Sequence, residues 1–393
     1  MTVSKPKVAQ AFRPANAALK RCATFLKLLL LVITTAFTVG VGPAKAGPHV
    51  LARTWRPPSG GPQQAPAGAT RTYYIAADEL RWDYAPRGRH LTGAPIAEPD
   101  DAVASPTTFV KAVYREYTDD TFKTLKPRPP EWEHLGILGP LIRAEIGDTV
   151  RIVFRNQTNI FCSMHPHGLA YDKASEGALY DDGTSAADKA DDLIKPGGSH
   201  IYTWHVPPRA GPGPGDGSSM LWMYHSHFVE PKDMNTGLFG AIIIGTPNDV
   251  DREFVLAFAV FDETASAYAE SNLRLNGRRP FTLKATDPAF RLANLVYTIN
   301  GFIEGNLPKP TMKAGERVRW YLLSNSNEED VHAVHWHGQT ATFMHMRTDV
   351  VSLGPMAMGV ADMVPDAIGT WLIHCHVNDH FERGMQGLFT VTR

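Results

Sequence analysis

The chain has 393 residues, of which 43% are apolar and 20% charged, with a formal net charge of −1. A length of this order suits two or three domains, each with its own core. The composition excludes wholesale disorder, a collagen-like repeat and a polytopic membrane protein.

Arg13, Lys20 and Arg21 precede an apolar run over 25–41, and Ala44-Lys45-Ala46 follows as a small-x-small cleavage site. Residues 1–46 therefore read as a secretory signal peptide, and the mature protein is expected to be secreted or periplasmic, with no membrane contact after cleavage. Cleavage removes seven Lys and Arg and no acid from the 39 basic and 40 acidic side chains, so the mature chain is acidic. Such a surface has no basic footprint for nucleic acid. Residues 47–70, with Pro57-Pro58-Ser59-Gly60-Gly61-Pro62 at their centre, read as a flexible leader.

From Arg71 onward, runs of β-branched and aromatic residues alternate with period two and end at Gly or Pro. Examples are Thr72-Tyr73-Tyr74-Ile75, Thr149-Val150-Arg151-Ile152-Val153-Phe154, His200-Ile201-Tyr202-Thr203-Trp204 and Ala241-Ile242-Ile243-Ile244, and the pattern returns over 253–260 and 317–323. Pro247-Asn248-Asp249 marks a turn between two similar units. The fold class is therefore all-β, with β-sandwich domains over 71–247 and 248–393. Only Cys162 and Cys375 survive cleavage, and Cys375 lies between His374 and His376, where a metal role competes with a disulfide. The fold is expected to rest on its cores.

Of 16 histidines, ten fall in four clusters: His165-x-His167, His225-x-His227, His332-x-x-His335-x-His337, and His374-Cys375-His376 with His380 and Met385 beyond. Residues two apart on a strand share a face, and odd separations oppose. His374 and His376 then face one way and Cys375 the other, while His335 and His337 share a face that His332 opposes. On one side Cys375, His332, His380 and Met385 offer two imidazoles, a thiolate and a weak axial thioether, the donors of a trigonal blue-copper centre. On the other, His335, His337, His374 and His376 converge with His165, His167, His225 and His227. Eight imidazoles exceed any mononuclear site and suit several coppers with open positions for dioxygen.

These clusters, with Ser175-Glu176-Gly177-Ala178-Leu179-Tyr180, Arg209-Ala210-Gly211-Pro212-Gly213-Pro214 and Asn300-Gly301-Phe302, resemble the multicopper oxidases. The domains are similar to those of ceruloplasmin and hephaestin, and the length to the bacterial small laccases. The resemblance implies two cupredoxin-like Greek-key β-sandwiches and four coppers per chain. A type 1 copper would take His332, Cys375, His380 and Met385; a type 2 copper His165 and His335; and a coupled type 3 pair His167, His225, His227, His337, His374 and His376. Ser226 stands where Cys375 stands, so the first domain is expected to hold no type 1 copper, with Cys162 a buried structural thiol. The resemblance also implies a homotrimer whose trinuclear sites pair one subunit's first domain with the next subunit's second.

The implied function is one-electron oxidation of a reducing substrate coupled to reduction of dioxygen to water. Laccase-like donors, phenols and aromatic amines, are placed slightly ahead of Fe(II) or Cu(I). A two-domain copper nitrite reductase needs fewer histidines, and a non-enzymatic copper-binding protein would not need every ligand. Asp349 is the candidate proton relay and Tyr171 a candidate redox or hydrogen-bonding group beside the type 2 copper. Substrate is expected to meet an exposed His380, near Asp379, Glu382 and Glu328-Glu329-Asp330. Met344, Met346, Met356 and Met358 are donors that suit Cu(I), but they form no Met-x-x-Met array, and core or turn packing is the favoured reading.

Overall fold

The computed structural model describes residues 68–88, 91–92, 106–276, 288–325 and 331–393. The expected signal peptide, nearly all of the leader, and Glu328-Glu329-Asp330 lie outside them. Among the described residues no helix is long and apolar enough to cross a membrane.

The first half supplies β1 (Thr70–Asp83), β2 (Thr108–Tyr117), β3 (Ile142–Ala144), β4 (Thr149–Asn156), β5 (His165–Pro166), β6 (Ser199–His205), β7 (Met220–His225) and β8 (Phe239–Ile244). The second supplies β9 (Arg252–Asp262), β10 (Leu295–Ile299), β11 (Thr311–Lys313), β12 (Val318–Asn325), β13 (His332–Trp336), β14 (Ala341–Phe343), β15 (Met346–Thr348), β16 (Val350–Leu353), β17 (Met358–Met363), β18 (Gly369–Cys375) and β19 (Gln386–Thr392). They form four sheets, in the orders β2-β1-β4-β6 and β3-β8-β7-β5, then β10-β9-β12-β17-β14-β15 and β11-β19-β18-β13-β16. Each half is a sandwich of two sheets.

The repeat read from the sequence is visible in the pairing. β1 runs parallel to β4 as β9 does to β12, and β3 parallel to β8 as β11 does to β19. Most important for function, β5 pairs antiparallel with β7 so that His165 faces His225, and β13 with β18 so that His335 faces His374. One register thus sets equivalent histidines side by side in both halves.

Strands with one buried face alternate, as β4 does throughout its length, whereas β8 and β12 are buried at every position. The reason is a third apolar cluster besides the two sandwich cores. Ile243, Phe239 and Met223 of the first half pack there with Val255, Phe261 and Tyr321 of the second. A strand sandwiched on both faces reads as a continuous apolar run. The same seam holds a buried ion pair, Lys111 Nζ to Glu263 Oε1 at 2.7 Å, to which the Tyr84 hydroxyl also donates.

Candidate metal centres

Strand alternation delivers the first group. In β13, His332, Val334 and Trp336 are buried while His335 is half-exposed, so His332 turns into the sandwich and His335 away from it. Cys375, opposite Val334 at the end of β18, enters the same interior and is fully buried. The short helix Asn378–Glu382 brings His380 round, and the ligand atoms of His332, Cys375 and His380 lie within 4.8 Å of one another. Cys375 Sγ is 3.8 Å from His332 Nδ1 and 3.4 Å from His380 Nδ1. A metal about 2.1 Å from an imidazole nitrogen and about 2.3 Å from a thiolate separates two such donors by roughly 3.8 Å at a trigonal angle. The donor set and its spacing fit copper.

Buried Met385 is tied to both partners: its N–H donates to the His380 carbonyl (2.9 Å) and its carbonyl accepts from the Cys375 N–H (3.1 Å). The Ala333 N–H points at Cys375 Sγ, 3.4 Å away, which stabilises negative charge on sulfur. One expectation is corrected here. His380 is only 4% exposed, because the Tyr297 ring packs on it at 5.1 Å.

The second group is a quartet on the opposite side of the Cys375 backbone. Neighbouring rings among His335, His337, His374 and His376 have centroids 4.9 to 5.4 Å apart, and His337 Nε2 and His374 Nε2 are 3.1 Å from each other. His374 Nδ1 donates to the Cys375 carbonyl (2.8 Å) and His335 Nδ1 to the Asp349 carbonyl (2.9 Å). A carbonyl at Nδ1 fixes the proton there and leaves the Nε2 lone pair for a metal.

The first half repeats this arrangement. Neighbouring rings among His165, His167, His225 and His227 have centroids 5.1 to 5.7 Å apart, with His167 Nε2 and His225 Nε2 at 3.0 Å. The Glu176 carbonyl holds His165 Nδ1 (2.7 Å) and the Ser226 carbonyl holds His225 Nδ1 (3.0 Å). Burial, followed by the neighbouring imidazoles, holds His167 and His374 at about 4 and pushes His225 well below the usual histidine range. Neutral imidazoles are the form that binds metal.

Gly168 and Gly338 follow the two His-x-His pairs at φ 75° and 68°. A Cβ on Gly168 would lie 2.3 Å from the Trp222 ring, and one on Gly338 3.0 Å from Trp371. Only glycine lets the chain leave the quartet there.

Among the described residues no hydrogen bond or ring contact joins the two quartets within one chain. Of the other sequence candidates, Asp349 is exposed with Oδ2 3.8 Å from His335 Nδ1, and the Tyr171 ring lies 5.6 Å from His165. Cys162 and Cys375 are both free, and burial pushes the Cys162 thiol up. Sequence reasoning missed Glu230, whose carboxylate is 3.5 Å from His227 Nε2, three residues along the chain. It also missed the Glu176 and Asp349 carbonyls, which no side-chain pattern reports.

Two family profiles, both described as multicopper oxidase, match residues 135–249 and 278–393. The chain belongs to the multicopper oxidase family. It is 40% identical to human "Ferroxidase HEPHL1" over 343 residues and 41% identical to human hephaestin over 346, covering 82% of this chain and 29% of each relative. It is also 39% identical to coagulation factor V of Pseudonaja textilis over 338 residues, covering 82% of this chain and 22% of that one. The chain therefore spans less than a third of the curated relatives it matches. Among solved structures, a multicopper oxidase superposes with TM-score 0.51 at 19% identity, covering 82% of this chain and 88% of that one. A copper nitrite reductase from Nitrosomonas europaea reaches 0.54 at 16%, covering 82% and 94%. These likenesses establish the fold, two cupredoxin-like β-sandwiches. Membership in the multicopper oxidases implies copper, and the donor sets above suit it.

Proposed function

We propose that the protein is a copper-dependent oxidase, holding four coppers per chain, that draws single electrons from a small reductant near His332, Cys375, His380 and Met385 and reduces dioxygen to water at the histidine quartets. The observation that carries this reading is the placement of Cys375. Its sulfur belongs to one centre, while its sequence neighbours His374 and His376 belong to the other. Bound copper supplies one-electron transfer at the first centre and dioxygen reduction at the second. The chain supplies the rest. Cys375 gives a short covalent path between the centres, the carbonyls of Cys375, Ser226, Glu176 and Asp349 orient the imidazoles, and the exposed Asp349 carboxylate passes protons inward from solvent. Tyr171 packs beside His165 as a hydrogen-bonding or redox group.

For the donor we prefer Fe(II) to phenols and aromatic amines. Exposed Asp379 and Glu382 bracket His380, and acids favour a cation; two of the relatives carry ferroxidase in their names. We place the complete oxygen site between chains, in an exported homotrimer, because neither quartet touches the other within a chain.

The test is copper content, optical and EPR spectra, and oxygen uptake with Fe(II), a methoxyphenol and an aromatic amine on copper-loaded protein. Four coppers, a thiolate-to-copper band and the highest kcat/KM with Fe(II) are expected. Two coppers without oxygen uptake would overturn the oxidase reading. For the assembly, His225→Ala and His374→Ala proteins are mixed, each inactive alone. Random head-to-tail trimers restore about a quarter of the sites, whereas sites within single chains regain nothing.

A further inference from the structure

The four methionines without a spacing pattern part company in the structure. Met356 and Met358 pack against the apolar seam between the halves. Met344 and Met346 instead are 72% and 68% exposed, with His345 exposed between them. They occupy the tip of the β14–β15 hairpin, where Phe343 pairs with Met346 and leaves Met344 and His345 as the two turn residues. Both turn residues have positive φ, 49° and 64°.

This is the turn in which Asn-Gly is favoured, because other side chains are strained in the left-handed region. An exposed thioether recovers nothing by burial. Neither packing nor turn preference accounts for Met-His-Met at this position, and donor chemistry does. The imidazole also has a seat: Gly215, at φ 94°, lies beneath it, and a Cβ there would be 3.2 Å from His345 Cε1.

We propose that Met344, His345 and Met346 form a surface site for cuprous ion, separate from the three histidine centres. Two thioethers and an imidazole are a soft, uncharged donor set, which selects Cu(I) and Ag(I) over Fe(II), Zn(II) and Mg(II). β15 runs from Met346 straight into Asp349, whose carbonyl holds His335. Three extended residues span about 10 Å, so an ion captured at the tip sits on the order of that distance from the Asp349 carbonyl and supplies copper to the second quartet during its loading.

The site stands apart from the oxidase reading, since Ag(I) binding requires no redox chemistry. The experiment titrates Ag(I) into copper-loaded protein by calorimetry, beside a Met344→Leu/Met346→Leu variant that keeps side-chain volume and leaves the histidine centres untouched. One silver per chain is expected on the parent, with binding abolished or weakened at least about tenfold in the variant. Metal-free variant is also expected to load more slowly than parent at limiting Cu(I), with the same final copper content. No silver on the parent, or equal silver on both proteins, overturns the proposal. Altered subunit association in the variant with unchanged silver binding overturns it as well, and makes the tip a contact between copies.

Discussion

Ser226 and Cys375 hold the same place in their halves, each between two histidines of a quartet and each followed by a short helix, Glu230–Thr236 or Asn378–Glu382. Around Cys375 the helix delivers His380, β13 delivers His332, and an N–H points at the sulfur. Around Ser226 the equivalent helix delivers buried Asp233 instead: the hydroxyl donates to Asp233 Oδ2 at 2.7 Å and accepts from the Ser163 N–H at 3.0 Å. Seven residues after the serine the chain buries an acid, and seven after the cysteine it exposes one, Glu382. The same scaffold thus closes one pocket with a hydrogen bond from a hydroxyl to a buried carboxyl group and fills the other with soft and borderline metal donors. Both halves keep the outer quartet, and only the second keeps the buried thiolate with its two imidazoles.

The strongest way to break this contrast is to make the second half resemble the first. Cys375→Ser removes the sulfur while keeping the strand, and the thiolate-to-copper absorption should vanish. Oxygen uptake should fall by more than about a hundredfold, beyond the cost of losing an outer hydrogen-bond partner. Retained absorption in the variant would place the thiolate elsewhere.

A smaller effect is expected from Asp349→Asn. The backbone carbonyl that holds His335 is untouched, so only the carboxylate changes. Uptake should drop about tenfold to a hundredfold with the thiolate band intact. Unchanged turnover would make Asp349 an ordinary surface acid.

The subtlest test concerns the closed pocket. Burial pushes the Asp233 carboxyl up to about 6, against the pull of the Ser226 hydroxyl and the Val229 N–H. A raised folded pKa contributes stability that is fully present below about pH 4 and lost as pH climbs through about 6. Asp233→Asn stays neutral across that window. Relative to the variant, the parent should lose stability from pH 4 to 6, by about 2 kcal/mol. Parallel denaturation midpoints at both pH values would show that Asp233 is charged in the fold.

The site was largely legible because its donors repeat at strand spacing. Period two alone puts His332 and Cys375 on one side and His335, His337, His374 and His376 on the other, and in β13 His332 is buried where His335 is partly exposed. The all-β class followed from alternation in runs such as β4 and from the duplicated motifs. The exposure of His380 was not legible, because Tyr297 covers it from β10, 83 residues earlier in the chain. Nor was the fate of the methionines, since Met344 and Met358 differ in hairpin geometry and not in local composition. Backbone carbonyls that fix imidazole tautomers have no sequence signal of their own.

The apolar seam that buries β8 and β12 on both faces has a consequence for separating the two halves. Neither copy owns a finished exterior, since Phe239 and Ile243 on one side and Val255 and Phe261 on the other are solvent-free only while joined. Each copy lends its neighbour cohesion, so a half produced alone would turn this apolar surface to solvent.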